Sequence, residues 1–406
     1  MDIKPSTSLA MQHTDNVRKV ANNEESDLIM IGSVGASLNA DTGPFKLDAN
    51  TLLKYIEYTQ GTFENQRYFN LNATANWAML KDRFDWKLQD FLAQQPINPL
   101  LPDSPDNIQG TNVLTFGPNI YFRMSGRQSV TLTPEYRKFS YEIQNLGNRQ
   151  NSLNVSWNYQ LFRTVNVGVR GGDNKVDYDN PLITDNVFRN IHLTLSTTRP
   201  DYDYRVDLGS THVERNSGEG VRGMTGNMNW KFNITGSSTL RAYIATDITD
   251  SNSSLLNASI NPDSGDFSNV QISSEIMHNR IFRLSYHRND ATLKSNVWTQ
   301  LRTQDYDFTL LDQEVLAAGF EFNYPLTALL STGINTRYNR IELTDIDRID
   351  TEYSIGANIN YRYSRNLHGV IDLKYNDTNS DINTSDFSET SVFINLIYGY
   401  SSESFK

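Results

Sequence analysis

Apolar side chains recur at every second position along almost the whole chain, and this period constrains the fold more than any other feature. In "YSIGANINYRYSRNLHGVIDLKY" (353–375), Tyr353, Ile355, Ala357, Ile359, Tyr361 and Tyr363 alternate with Ser354, Gly356, Asn358, Asn360 and Arg362. After Ser364-Arg365-Asn366 the pattern restarts, with Leu367, Gly369, Ile371, Leu373 and Tyr375 set against His368, Val370, Asp372 and Lys374. Period two on both sides of a tight turn predicts an antiparallel hairpin. "LIMIGSVGASL", "PFKLDANTLLKY", "YFNLNATANWAM", "RFDWKLQD" and "SVFINLIYGY" repeat the pattern from one end to the other. About 20 such segments of roughly 9–14 residues are legible, longer than soluble strands and suited to tilted membrane strands.

The connections are sorted as well. Short turns ("NADTG", "KD", "SGRQ", "FR", "TTRPD", "TGSS", "HN", "YPLT", "SRN") follow every second strand, and longer polar stretches lie between them. The long ones include 94–110, 247–269 and 288–307. Short turns at one rim and long loops at the other are the pattern of outer-membrane barrels. The expected fold is all-β: a transmembrane antiparallel up-and-down β-barrel of about 20 strands, with 18 as the alternative, short periplasmic turns and long extracellular loops. It is expected to form one domain over 1–406, with strands from about 3 to 400, no independent plug and a short tail at 401–406.

Composition agrees with this reading. Mean hydropathy is -0.53 and 38% of residues are hydrophobic, which suits strands that show only every second residue to lipid. No window approaches 18 consecutive apolar residues, so no transmembrane helix is expected. The chain has no cysteine, which removes disulfides, Cys-ligated zinc and iron–sulfur motifs from consideration. A net charge of -11 with dispersed basic residues speaks against a nucleic-acid partner. "MDIKPSTS" has neither a basic start nor an apolar run, and reads as a mature chain with an added initiator Met.

Alternation also assigns the faces. If the apolar face meets lipid, the polar face lines a lumen too wide at 18–20 strands for side chains to fill. The candidate lining residues of the first half are Lys46, Asp48, Asp85, Lys87, Glu135, Arg137, Asn166 and Arg170. Those of the second half are Asn229, Arg241, Tyr243, Arg283, His287, Glu321, Asn335, Arg337, Asn358, Asn360, Arg362, Asp372 and Lys374. Opposite charges among them can pair across strands and stiffen the wall, or meet cargo. Trp77, Trp86, Trp157, Trp230, Tyr363 and Tyr400 fall near the short-turn rim, as an interfacial aromatic girdle requires. Tyr55, Tyr136, Tyr338 and Tyr375 are candidates for the opposite girdle.

Enzyme chemistry finds little support. The six histidines are scattered with no metal-ligand spacing, and no cluster points to a catalytic site, so no catalytic residue, metal or cofactor is expected. "GVRGGDN" (168–174) does not open a helix and reads poorly as a phosphate cradle. The Asp-rich 247–267 stretch and "LTDIDRIDTE" (343–352) lack an EF-hand register and read as solvated loops.

The two ends carry a resemblance. "IKPSTSLAMQHTDNVRKVANNEESDLIMIGSVGASL", with Thr14 to Val17 and Glu25 to Asp27, and the Tyr-rich hairpin joined by Ser-Arg-Asn resemble a β-barrel porin family. That family is associated with exopolysaccharide (PEP-CTERM/exosortase-type) gene clusters. The resemblance implies a Gram-negative outer-membrane conduit for a secreted polysaccharide, in contact with outer-membrane lipid and lipopolysaccharide. It also implies a periplasmic polysaccharide export protein and an inner-membrane synthase/copolymerase complex as partners. The alternatives are a passive diffusion porin for small hydrophilic solutes, marked by an inward constriction loop, and a non-transporting adhesion barrel.

Overall fold

Each alternating segment folds as a strand of 13–16 residues. At about 3.3 Å per residue and a tilt near 40°, 13 residues rise about 33 Å, enough to cross the hydrocarbon layer. The computed structural model describes all residues except 99, 217, 253–272, 308, 383–384 and 400–406. The first strands are β1 (Asp2–Thr14), β2 (Asp27–Asp41), β3 (Phe45–Tyr58), β4 (Gln66–Leu80) and β5 (Phe84–Pro96). Next come β6 (Ile108–Arg123), β7 (Gln128–Tyr141), β8 (Asn148–Phe162), β9 (Val165–Tyr178) and β10 (Asn186–Thr198). Then follow β11 (Tyr202–Arg215), β12 (Val221–Thr235), β13 (Ser238–Asp250), β14 (Ile276–Asn289) and β15 (Lys294–Tyr306). The last are β16 (Gln313–Pro325), β17 (Leu330–Leu343), β18 (Arg348–Arg362), β19 (Leu367–Ser380) and β20 (Phe387–Gly399).

Every strand pairs antiparallel with its sequence neighbours, and β1 pairs with β20, so the 20-stranded sheet closes on itself. Closure removes the exposed edges that a sheet this long would otherwise present. The seam holds nine register pairs, Ser6↔Gly399 to Thr14↔Ser391, against thirteen between β1 and β2. Side chains latch it: Thr14 Oγ1 donates to Glu389 at 2.8 Å, and Asn16 Nδ2 donates to the Ser388 carbonyl at 2.9 Å.

One rim carries connections of two to four residues, and the other carries all the longer ones. Two expectations fail at one place. His278-Asn279 is not a turn but lies inside β14, and 288–307 is not a loop: it holds the tight turn 290–293 and all of β15. The polar string "TLKSNVWTQLRTQ" misleads because its inward face is unusually polar. Similarly, only 344–347 of "LTDIDRIDTE" is a loop, since Arg348 to Glu352 begin β18. "GVRGGDN" runs within β9. Of the 247–269 stretch, 247–250 completes β13 and 253–269 lies outside the described residues.

The outward face is aliphatic and bare. Leu9 (72% exposed), Val34 (63%), Leu193 (66%), Leu208 (59%) and Ile355 (55%) would be anomalous on a soluble domain and suit contact with lipid. Trp77, Trp86, Trp157, Trp230 and Tyr363 stand outward near the short-turn rim, with Trp77 directly opposite Trp86. Neighbouring outward rings extend the belt: Trp157 stacks on Tyr159, Trp230 on Phe232 and Phe322 on Tyr324. Tyr55, Tyr338 and Tyr375 stand outward toward the other rim, where Tyr338 packs on Tyr353. Tyr400 and the 401–406 tail lie outside the described residues.

Candidate functional site

The register places all 21 candidate lining residues on the inward face, because strict antiparallel pairing carries one face unbroken around the barrel. Lys46 registers with Asp41 on β2 and with Asn76 on β4, Asp48 with Thr74, and Lys87 with Asn76 and Gly117. Tyr243 registers with Asn229 and Arg283. Gly356 stands between Asn335 and Lys374, and Asn358 registers with Asp372.

Their contacts are mostly local. Glu135 pairs with Arg137 at 2.6 Å within β7, and Arg137 also donates to Gln150 at 3.4 Å. Asp85 accepts from the Tyr121 hydroxyl at 3.2 Å, and Asn360 donates to Asn358 at 2.8 Å. Arg362 donates to the Ala328 carbonyl at the short-turn rim, and His287 contacts Ser285 Oγ at 3.1 Å.

Two elements fold into the lumen and narrow it. The first is the tip of the β13–β14 hairpin. Pairing between β12 and β13 stops at Gly226↔Thr246, while β13 and β14 stay paired to Asp250↔Ile276 and β12 continues to Val221 against β11. β13 therefore parts from β12, and the hairpin, still paired to β15 as far as Met277↔Tyr306, bends inward with both its faces buried. One face, with Ile248 and Ile276, packs against Val176, Phe188 and Val213 of β9–β11. The other, with Met277, packs against Tyr306 of β15. Asn252, just past the tip strand, receives a hydrogen bond from the Tyr141 hydroxyl of β7. Gly223 makes room for this packing: a Cβ there would stand 2.8 Å from Ile248 Cδ1.

The second element is the segment 97–107, between β5 and β6. Asn107 ties it into a compact turn, donating to the carbonyls of Asn98 (2.8 Å), Pro102 (3.2 Å) and Leu101 (3.3 Å) and accepting from the Asn98 amide (2.9 Å). The segment faces β17–β19 across a cavity of about 470 Å³ that Leu101, Pro102 and Asp103 share with Arg337, Arg348 and Lys374. Lys19 joins the same cavity from the β1–β2 loop. The quoted "TDNV" and "ESD" motifs organise that loop. Asn16 is fully buried and holds the backbone of Val20 from both its amide atoms. Asp27, also fully buried, accepts from the Gln60 amide at 3.1 Å and from the hydroxyls of Thr59 and Thr62.

Between the hairpin tip and β7–β12 lies a cavity of about 520 Å³. Two of its lining residues reach the fully buried Asp207, His192 Nδ1 at 2.9 Å and Arg170 Nη2 at 3.2 Å. His192 Nε2 stands 3.4 Å from Thr225 Oγ1. The Arg170 side chain is the one sequence-level candidate in this network; Asp207 and His192 carry no signal beyond their place in alternating strands. A larger cavity, about 760 Å³, runs along β15–β20 and β1–β3. Trp298, which the misread 288–307 stretch concealed, lines it edgewise: one face lies on Gly319, where a Cβ would sit 2.6 Å from the ring, and Arg283 stands 4.7 Å from its centroid.

With this geometry in place, residues 314–399, from β16 to β20, match the family model described as "Putative beta-barrel porin 2". The match includes the Ser-Arg-Asn hairpin and leaves out the N-terminal motifs. No curated protein matches the chain. Among solved structures, the siderophore receptor PirA from Pseudomonas aeruginosa is similar over 98% of this chain and 80% of its own, at 10% identity and a TM-score of 0.51. That likeness concerns the barrel fold alone. OccK2 (OpdF) from Pseudomonas aeruginosa covers 99% of both chains at 9% identity and a TM-score of 0.43. A BenF-like porin from Pseudomonas fluorescens Pf-5 covers 98% of this chain and 99% of its own at 12% and 0.42. Similarity at that level carries no argument about this chain.

Proposed function

We propose that this protein is a Gram-negative outer-membrane diffusion channel for small hydrophilic solutes, its lumen lined by the inward residues named above. One observation carries the reading: a closed barrel with a lipid-suited outer face has a lumen that is narrowed from two sides yet keeps an open polar space. The 97–107 segment and the β13–β14 tip occupy the long-loop half, and the 760 Å³ cavity adjoins the space beneath the 97–107 segment. A constriction of this kind excludes large solutes while solvated polar walls let small ones enter and leave. The outward aromatic rings near the short-turn rim act as the periplasmic girdle, and lipopolysaccharide surrounds the opposite end. There, outward Arg189 bridges Asp173 at 3.0 Å and Glu214.

The experiment is reconstitution into planar bilayers and sugar-loaded liposomes. Discrete conductance steps and size-limited swelling are expected; an inserted, folded barrel that conducts nothing would overturn the reading.

Polysaccharide export is the second reading, supported by the resemblance of the chain's ends. Two inward elements suit small solutes better than a polymer. Deleting the gene and measuring surface and periplasmic polysaccharide separates the two: loss outside with accumulation inside would favour export, with an export protein and synthase complex as partners.

A further inference from the structure

The lumen that remains open carries its charge unevenly. Lys54 of β3, Arg337 of β17 and Lys374 of β19 all line the 760 Å³ cavity, Arg337 and Lys374 at the middle of their strands and Lys54 in the long-loop half of its own. Among the described residues no carboxylate lies within ion-pair distance of Lys54 or Lys374. Arg337 Nε donates to Asn339 at 3.2 Å, and Asn339 in turn donates to Glu352 at 2.8 Å.

The acids of the same cavity sit one inward position nearer the short-turn rim. Asp372 precedes Lys374 on β19, and Glu321 registers with Asn335, the inward residue before Arg337. Composition does not dictate this arrangement, because the whole chain carries a net charge of -11. Arg337 and Lys374 also line the cavity beneath the 97–107 segment, where Lys19 and Arg348 join them against Asp103, Asp350 and Glu352, with Asp350 held by Arg348 at 2.8 Å.

We infer that Lys54, Arg337 and Lys374 form an anion-binding tier that makes the channel favour small oxyanions, carboxylates or phosphates, over cations. The inference rests on the diffusion-channel reading. Fixed charges on a low-dielectric wall focus the field into a narrow lumen and raise the local concentration of the opposite ion. Rings of Lys and Arg give anion pores by the same physics. Two of the three are lysines, compact and strongly hydrated point charges without the bidentate fork that would hold a carboxylate tightly. Binding is then weak enough for release.

The test measures the reversal potential of single channels in a KCl gradient, then adds inorganic phosphate or acetate to one side. Wild type is expected to pass chloride over potassium by about 3-fold, and the double variant Lys54→Gln/Lys374→Gln about equally. Lys54→Arg/Lys374→Arg keeps the charge and is expected to keep the preference, which separates charge from any packing defect. Phosphate and acetate are each expected to reduce chloride current in wild type more than in the Gln variant; block by only one of them tells which oxyanion the tier prefers. Cation preference in wild type, or a chloride preference unchanged in the Gln variant, would overturn the inference. Absence of conductance in a folded wild-type barrel would instead overturn the channel reading beneath it.

Discussion

Toward the long-loop rim, β9–β11 turn Val176, Phe188 and Val213 inward, all buried, whereas mid-height positions of β17–β19 turn Asn335, Asn358, Asp372 and Lys374 into open lumen. Both stretches belong to one sheet with one alternation. The difference lies in what covers the inner face. Where the β13–β14 tip bends in, the inner wall is packed like a soluble core; on β17–β19, which the 97–107 segment faces only across a cavity, it stays polar. An inward position in a wide barrel is therefore either core or water, and only a distant element decides which.

The largest way to break the contrast is to release the tip. Ile248→Asn with Ile276→Asn buries two unsatisfied amides in place of packed aliphatics, at about 1–3 kcal/mol each. The tip should swing out and single-channel conductance rise several-fold, read in bilayers, while the barrel stays folded on unheated gels. Unchanged conductance would mean that the tip does not narrow the conducting path.

A second, smaller opening is expected on the other side. Asn107→Ala removes the knot of the 97–107 segment, and the orphaned carbonyls should loosen it. Conductance should rise less than with the tip variant and become noisier, with a local cost of about 1–3 kcal/mol.

By contrast, Asn358→Ala on the open wall breaks one half-buried amide contact with Asn360. Thermal unfolding should shift by no more than about 0.5 kcal/mol. A larger loss would show that the open wall is packed too.

The smallest effect concerns the turn 290–293. Arg288 and the amide and hydroxyl of Thr292 hold the Asp290 carboxyl well below the usual carboxylate range. A depressed folded pKa makes the turn's stabilisation complete above the unfolded value of about 3.9, and it is lost only as pH falls through the lower folded value. Hairpin exchange protection measured from pH 7 down to 5 should stay constant, and Asp290→Asn should lower it at every pH in that window.

This contrast also explains what could be read from the chain alone. Strand number, facing and the sorting of connections follow from period two, because a one-residue slip would move every apolar side chain into water. The inward facing of the candidate lining residues follows from the same alternation, whereas Lys54, on the polar face of "PFKLDANTLLKY", was not among those candidates. The inward bend at Thr246 was not, since alternation continues through Asp247–Asp250 and nothing local marks where β13 leaves β12. Neither was β15, whose inward Trp298, Gln300, Arg302 and Gln304 made it look like loop. The knot at Asn107 is one amide among many Asn residues, and its meaning exists only once the segment is folded.

The seam between β1 and β20 has a consequence for how the barrel is made. Its contacts join residues 375 positions apart, as from Thr14 to Glu389, so the whole chain must be in place before they can form. Contacts of such separation form late and slowly. Until then the nascent sheet has two raw edges, each able to pair with another strand. The nine-pair seam with its Asn16 and Thr14 latches is thus a last stitch: weakening it should lower the yield of finished barrels, leaving the current through each finished one untouched.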